Sequence, residues 1–108
     1  PKAVCEYAAS VGKKVVVISA FMPYDASIYR NADGLVLCYC AKGVPSAVAK
    51  DVNSTLAYGV NIPAASEVVL GKARCWGRLT ADIPEMNESG RFDTAKVIYP
   101  IGSGMDLN

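Results

Sequence analysis

Two runs in this chain, Val15-Val16-Val17-Ile18 and Leu35-Val36-Leu37-Cys38-Tyr39-Cys40, carry no alternation of apolar and polar residues. A strand with one wet face alternates. A strand that does not is covered on both faces, as in a parallel sheet flanked by helices. The runs therefore set the fold class as α/β, with a three-layer α/β/α sandwich around a mostly parallel sheet as the expected architecture. Val16, Ile18, Val36 and Leu37 are the expected core, almost fully buried.

The segments around these runs alternate in type. Val4, Tyr7, Ala8 and Val11 fall at helical spacing, and Gly12 closes that helix with Lys13 and Lys14 at its negative end. Pro23-Tyr24-Asp25 breaks the first strand, and Asp25 is placed to cap a short turn of helix through Arg30. Asn31-Ala32-Asp33-Gly34 is a turn. Val48, Val52 and Leu56 suggest a helix over 46–57. Asn61 as cap and Pro63 in the first turn predict another over 62–70, ended by Gly71. Leu79, Ala81 and Ile83 alternate with Arg78, Thr80 and Asp82, the pattern of a half-exposed edge strand over 78–83 that Pro84 ends. Residues 85–96 read as a polar surface loop, and Val97 to Ile101 as a last apolar segment. The strands expected are thus 14–20, 34–40, 78–83 and 97–101.

Composition narrows the chemistry. The 108 residues are 52% apolar and 19% charged, which supports one domain with a buried core. The net charge is +1 with no basic stripe, so nucleic acid is not an expected partner. The apolar runs fall far short of the roughly 20 residues that span a bilayer. The chain has no His, which removes Ser-His-Asp and Cys-His catalysis and every His-containing metal site. Its first residue is Pro rather than Met, so a piece or processed product of something longer is expected. Cys5, Cys38, Cys40 and Cys75 form no Cys-x-x-Cys pair. They read as buried thiols packing as small hydrophobes, with a disulfide or metal role as the alternative.

Three groups of residues are candidates for a site. Asp25, Asp82, Glu85 and Glu88 could supply an acid/base pair, against a plainer reading as a helix cap, a wet strand face and a wet loop. Gly102-Ser103-Gly104 is too short for a dinucleotide fingerprint and reads as a flexible turn. Tyr24, Tyr39, Tyr58, Tyr99 and Trp76 could stack on sugars, against core packing or a domain seam.

Several blocks, in order, resemble the C-terminal domain of glycoside hydrolase family 3. They are Lys13 to Ser19, Pro23-Tyr24-Asp25 with Tyr29-x-x-Ala32-Asp33, and the strand ending in Tyr39. Next come Asn61-Ile62-Pro63-Ala64-Ala65 leading to Leu70-Gly71-Lys72, then Gly77 to Pro84, and Tyr99-Pro100-Ile101-Gly102-Ser103-Gly104-Met105. The Pro-Tyr-Asp and Asn-Ile-Pro-Ala blocks are most similar to the two-domain bacterial β-N-acetylglucosaminidase (β-hexosaminidase) branch. Thr80 stands where the family usually has Pro, Cys75-Trp76-Gly77 where it has a Pro-x-Gly turn, and residues 41–57 match no block.

The resemblance implies a parent enzyme that hydrolyses β-linked N-acetylglucosamine or related glycosides with retention. Its Asp nucleophile, and a His-Asp pair near a Lys-His-x-Pro-Gly motif, would lie on an N-terminal barrel absent from this chain. Some β-glucosidase-like members draw a Glu from the second domain, but the comparable stretch here, Tyr58-Gly59-Val60-Asn61, has no carboxylate. No catalytic, cofactor or metal residue is therefore carried over, and no cofactor is expected. A complete domain of the family has more strands than the four expected here, so the resemblance makes 1–108 an incomplete domain with an open, pairing-competent edge. The implied partners are the barrel domain and, through it, the glycoside substrate, with a homodimer through that edge as a further expectation. Family members are often secreted or attached to the cell envelope, and some are cytoplasmic, so no compartment is assigned. The alternatives are a free-standing α/β carbohydrate- or nucleotide-binding module and a structural or oligomerisation domain.

Overall fold

A computed structural model of the chain describes residues 1–39 and 61–106. The helix expected over 46–57, together with Cys40 and Tyr58, lies outside the described residues. The described elements are α1 (Lys2–Ser10), β1 (Val16–Ser19), α2 (Asp25–Ile28), β2 (Gly34–Leu37), α3 (Asn61–Val69), β3 (Ile83–Met86) and β4 (Phe92–Tyr99). They pair as two separate ladders, parallel β1-β2 and antiparallel β3-β4.

The two glycine stops work through one device. At the end of α1, Gly12 takes φ +73° and its N–H donates to Ala9 O at 3.0 Å, while Lys13 N donates to Ala8 O at 2.9 Å. After α3, Gly71 at φ +70° donates to Val68 O at 3.0 Å and Lys72 N to Glu67 O at 2.8 Å. Both are Schellman closures, in which a left-handed residue lets two trailing N–H groups satisfy the last helical carbonyls.

The unit β1-α2-β2 is a parallel crossover, with Val16 opposite Gly34 and Ser19 opposite Leu37. Asp33 anchors its lower end. Its carboxylate accepts from Val15 N at 2.9 Å and from Lys14 Nζ at 2.7 Å. The ammonium of Lys14 and the backbone N–H of Val15 hold the Asp33 carboxyl below its ordinary range, and the same bond holds Lys14 above its own. A carboxyl depressed in the folded state stabilises the fold above its unfolded value, near 4, and loses that contribution as pH falls through the folded value. Wild type should therefore unfold at higher temperature than Asp33→Asn at neutral pH. The gap should close on acidification from about pH 5 to about pH 2. A gap that stays constant across that range in thermal melts would show that the charge on Asp33 contributes nothing.

The expected burial of the parallel pair is not what is found. Val16 is 49% exposed, and Ile18, Val36 and Leu37 are only half-buried. Two strands cover one edge each, and among the described elements only α3 packs closely on β1. Helix α1 does little to close the gap. Its larger side chains Val4 and Tyr7 are 70% and 69% exposed, and Val11 is exposed too. The face turned inward carries the smaller, half-buried Cys5 and Ala8 instead.

Burial is shared between Cys38 after β2, Ala65 in α3 and the seam where α2 meets the hairpin. Ile83 is fully buried, with Ala26 and Ser27 buried as well. The N–H of Met86 donates to Ser27 Oγ at 2.8 Å, which pins β3 to α2. The Tyr24 and Phe92 rings pack at 5.7 Å with a 52° tilt. Arg30 Nη1 reaches Glu85 Oε1 at 2.8 Å across the same seam.

The hairpin corrects two expectations. Residues 85–96 are not a loop, because most of them belong to β3 and β4. The expected edge strand over 78–83 is also displaced: only Ile83 is in a strand. Leu79 instead pairs with the tail, donating to Ser103 O and accepting from Gly102 N, both at 2.8 Å. The alternation still marked a real facing, since Leu79 and Ala81 are half-buried and Arg78, Thr80 and Asp82 exposed. Pro84 lies inside β3, at a register shift between Ile83 and Glu85 where the ladder is already interrupted. A bulge is one of the few strand positions that tolerates a residue without an N–H.

Candidate functional site

In an open α/β sheet, ligands bind outside the carboxyl ends of the parallel strands. Here those ends bring together Ser19 from β1, Cys38 and Tyr39 after β2, Asp25 from α2 and Asn61 from α3. Ser19 is buried and its hydroxyl donates to Asp25 Oδ2 at 2.6 Å, with Met22 O at 3.3 Å. That bond closes the bend around Pro23. Asp25 is thus the first residue of α2, not its side-chain cap, and the N-cap position is Tyr24.

Tyr39 has φ +48°, the one positive φ at a non-glycine position among the described residues. An L-residue there costs roughly 1–2 kcal/mol, so neighbouring structure must hold it. Asn61 does so: its Nδ2 donates to Cys38 O at 2.6 Å and to Tyr39 O at 3.3 Å. Asn61 was expected to cap α3 through its side chain. It begins that helix, and its amide is turned onto the strand end instead. No sequence pattern marked Tyr39 as strained, because a tyrosine carries no signal for a left-handed backbone.

Three of the four candidate carboxylates have a holder, each a different one. Asp25 takes Ser19, and Asp82 Oδ1 accepts from Ile101 N at 2.7 Å. Glu85 takes Arg30 and, at 3.7 Å, Lys96. The Arg30 bond keeps the Glu85 carboxyl below its usual range, which suits a fixed anion and not a proton donor near neutral pH. Glu88 is exposed on the hairpin turn. Among the described residues no two of these four share a partner.

The remaining candidates also separate. Gly102-Ser103-Gly104 is a turn, with Gly102 at φ +86°. Of the aromatic residues, Tyr24 packs on Phe92, Tyr39 sits at the strand end, Tyr99 is half-buried in β4, and Trp76 is 65% exposed. Cys5, Cys38 and Cys75 are free thiols. Cys38 is buried, and burial pushes its thiol up, away from the reactive thiolate. Among the described residues no group of three or more Cys, Asp or Glu is placed to hold a metal ion. No helix there is long and apolar enough to cross a membrane.

Two shallow clefts flank α1. One, of about 380 Å³, lies between α1 and the α2–β2 connection, lined by Glu6, Tyr29 and Asp33 among others. The other, of about 430 Å³, lies between α1 and β1, lined by Val4, Val16 and Asp25 among others. Cys5 lines both. Comparison with family models, curated proteins and solved structures finds no match for this chain.

Proposed function

We propose that this chain is the non-catalytic C-terminal portion of a glycoside hydrolase family 3 enzyme, acting on β-linked N-acetylglucosamine or related glycosides. The whole domain in this reading is a three-layer α/β/α sandwich of which the chain supplies part. Its partner is the catalytic barrel of the same polypeptide. The observation that carries the reading is the Asn61 contact. The Asn61-Ile62-Pro63 block opens α3 and bonds the carboxyl end of β2, while Pro23-Tyr24-Asp25 turns the chain at the carboxyl end of β1. The resembling blocks thus serve one end of one parallel unit.

Among the described residues the four candidate carboxylates share no partner, and the chain has no His, so the chain alone should not turn over substrate. Purified chain incubated with a chromogenic β-N-acetylglucosaminide, and with the matching β-glucoside, should release product at the buffer rate. Turnover that disappears in Glu85→Gln or Glu88→Gln would overturn the reading.

The exposed Val4, Tyr7, Val11 and Val16 favour a second reading, in which the chain is a structural or oligomerisation domain. Among the described residues no further strand pairs with β1 or β2; such an apolar parallel pair invites another strand, and a two-fold dimer is the simplest closed arrangement. Light scattering over a concentration series should then show a rise from monomer to dimer mass. A constant monomer mass at high micromolar concentration would remove the dimer.

A further inference from the structure

The tip of the β3–β4 hairpin carries the triplet Asn87-Glu88-Ser89. An Asn-x-Ser triplet with x other than Pro is an acceptor sequence for N-linked glycans when it lies on the surface. All three residues are exposed here.

The turn is built in a way that suits the chemistry. Asn87 Oδ1 accepts from Ser89 Oγ at 2.7 Å and from Arg91 N at 2.9 Å. Asn87 N donates to Arg91 O at 2.8 Å, and Gly90 N to Asn87 O at 3.0 Å, with Gly90 at φ +79°. Both side-chain bonds thus use the oxygen of the Asn87 amide. Among the described residues the nitrogen, Nδ2, donates to nothing. A substituent on Nδ2 leaves both Oδ1 bonds, and so the turn, in place. Residues 87–90 are all exposed, so a bulky group on Asn87 meets solvent at the tip.

We propose that Asn87 is an acceptor site for an N-linked oligosaccharide, donated by a polyprenyl-pyrophosphate glycan through a membrane oligosaccharyltransferase. Nδ2 forms the new bond to C1 of the first sugar and gives up one proton to a base on the transferase. The C1–O bond to pyrophosphate breaks, and its electron pair leaves on the phosphate oxygen. Neither oxidant nor reductant is needed. The Ser89 hydroxyl completes the recognition element and is not consumed.

The test uses the full chain, directed by a leader to the periplasm of a bacterial host that carries a transferase and its lipid-linked glycan. A standard acceptor protein in the same cells confirms that transfer is running. A second triplet, Asn53-Ser54-Thr55, lies outside the described residues, so a peptide map and not the total mass decides the site. The Asn87 peptide should carry the glycan in wild type and in Ser89→Thr. It should be unmodified in Asn87→Gln and in Ser89→Ala. Far-ultraviolet circular dichroism of the variants checks that each is folded. An unmodified Asn87 peptide in wild type, beside a modified standard, would overturn the proposal. So would equal occupancy in wild type and Ser89→Ala.

Discussion

Replacing Ile83 by Ala should destabilise the chain by about 2–5 kcal/mol, the usual range for an Ile emptied from a packed site. Among the described residues Ile83 is the largest side chain with no exposed surface. It sits at the start of β3 opposite Tyr99, where the hairpin meets α2. Its removal leaves a void near the α2–β3 seam, where the buried residues of α2, Ala26 and Ser27, are small. Pro84 and the register shift beside it also limit how far the strand can settle inward. Val16→Ala should cost far less, about 0.5–1 kcal/mol, because Val16 is already half in water. Denaturant unfolding of both variants gives the comparison. A larger loss at Val16 than at Ile83 would move the core back to the parallel pair.

The second large effect is expected at Gly104. A β-carbon there would overlap the carbonyl oxygen of Gly77 and press on the Arg78 side chain at 3.1 Å. The oxygen belongs to backbone and cannot rotate away. The tail from Ile101 onward is held beside it by the Leu79 bonds and by Arg78 Nη2 to Asp106 Oδ1 at 2.6 Å. Gly104→Ala must therefore lift the tail or shift the 77–79 segment, at a cost of about 1–3 kcal/mol. Gly77→Ala is the control, since a β-carbon on Gly77 meets nothing within 4 Å. Equal melting temperatures for the two variants would show that the tail does not pack where it is described.

The sequence carried the local features well. Gly12 and Gly71 signal helix ends because a left-handed residue is needed at a fixed place, and glycine is the residue that supplies it cheaply. The two unbroken apolar runs signal paired parallel strands, and β1 and β2 pair in that sense. What failed were inferences that depend on neighbours distant in sequence. Val4, Tyr7 and Val11 mark a helical stripe, but a stripe does not say which helix face is covered. Here Cys5 and Ala8 turn inward. Pro84 reads as a strand terminator only while the ladder is assumed regular, and the bulge removes that assumption. The polar stretch 85–96 lacks apolar alternation because β4 is mostly exposed, so pattern alone gave a loop.

The site was less legible than the fold. Asp25 and Asn61 were both marked as helix caps, since short polar side chains before a helix usually serve that purpose. Each is spent on tertiary contacts instead, Asp25 on Ser19 and Asn61 on the end of β2. In the sequence Asp33 reads as a turn residue and as the end of the Tyr29-x-x-Ala32-Asp33 block. Its real position, bonding Lys14 and Val15 at the start of β1, depends on the parallel register, which no local pattern reports.

The central claim is that this chain is the non-catalytic part of a family 3 glycoside hydrolase. Reading the coding sequence upstream of Pro1 in its source tests that claim most directly. The account predicts an in-frame barrel domain that carries the Lys-His-x-Pro-Gly motif and an Asp nucleophile. The polypeptide joining that barrel to this chain should hydrolyse a β-N-acetylglucosaminide. An initiator Met immediately before Pro1, or an upstream domain with neither feature, would contradict it.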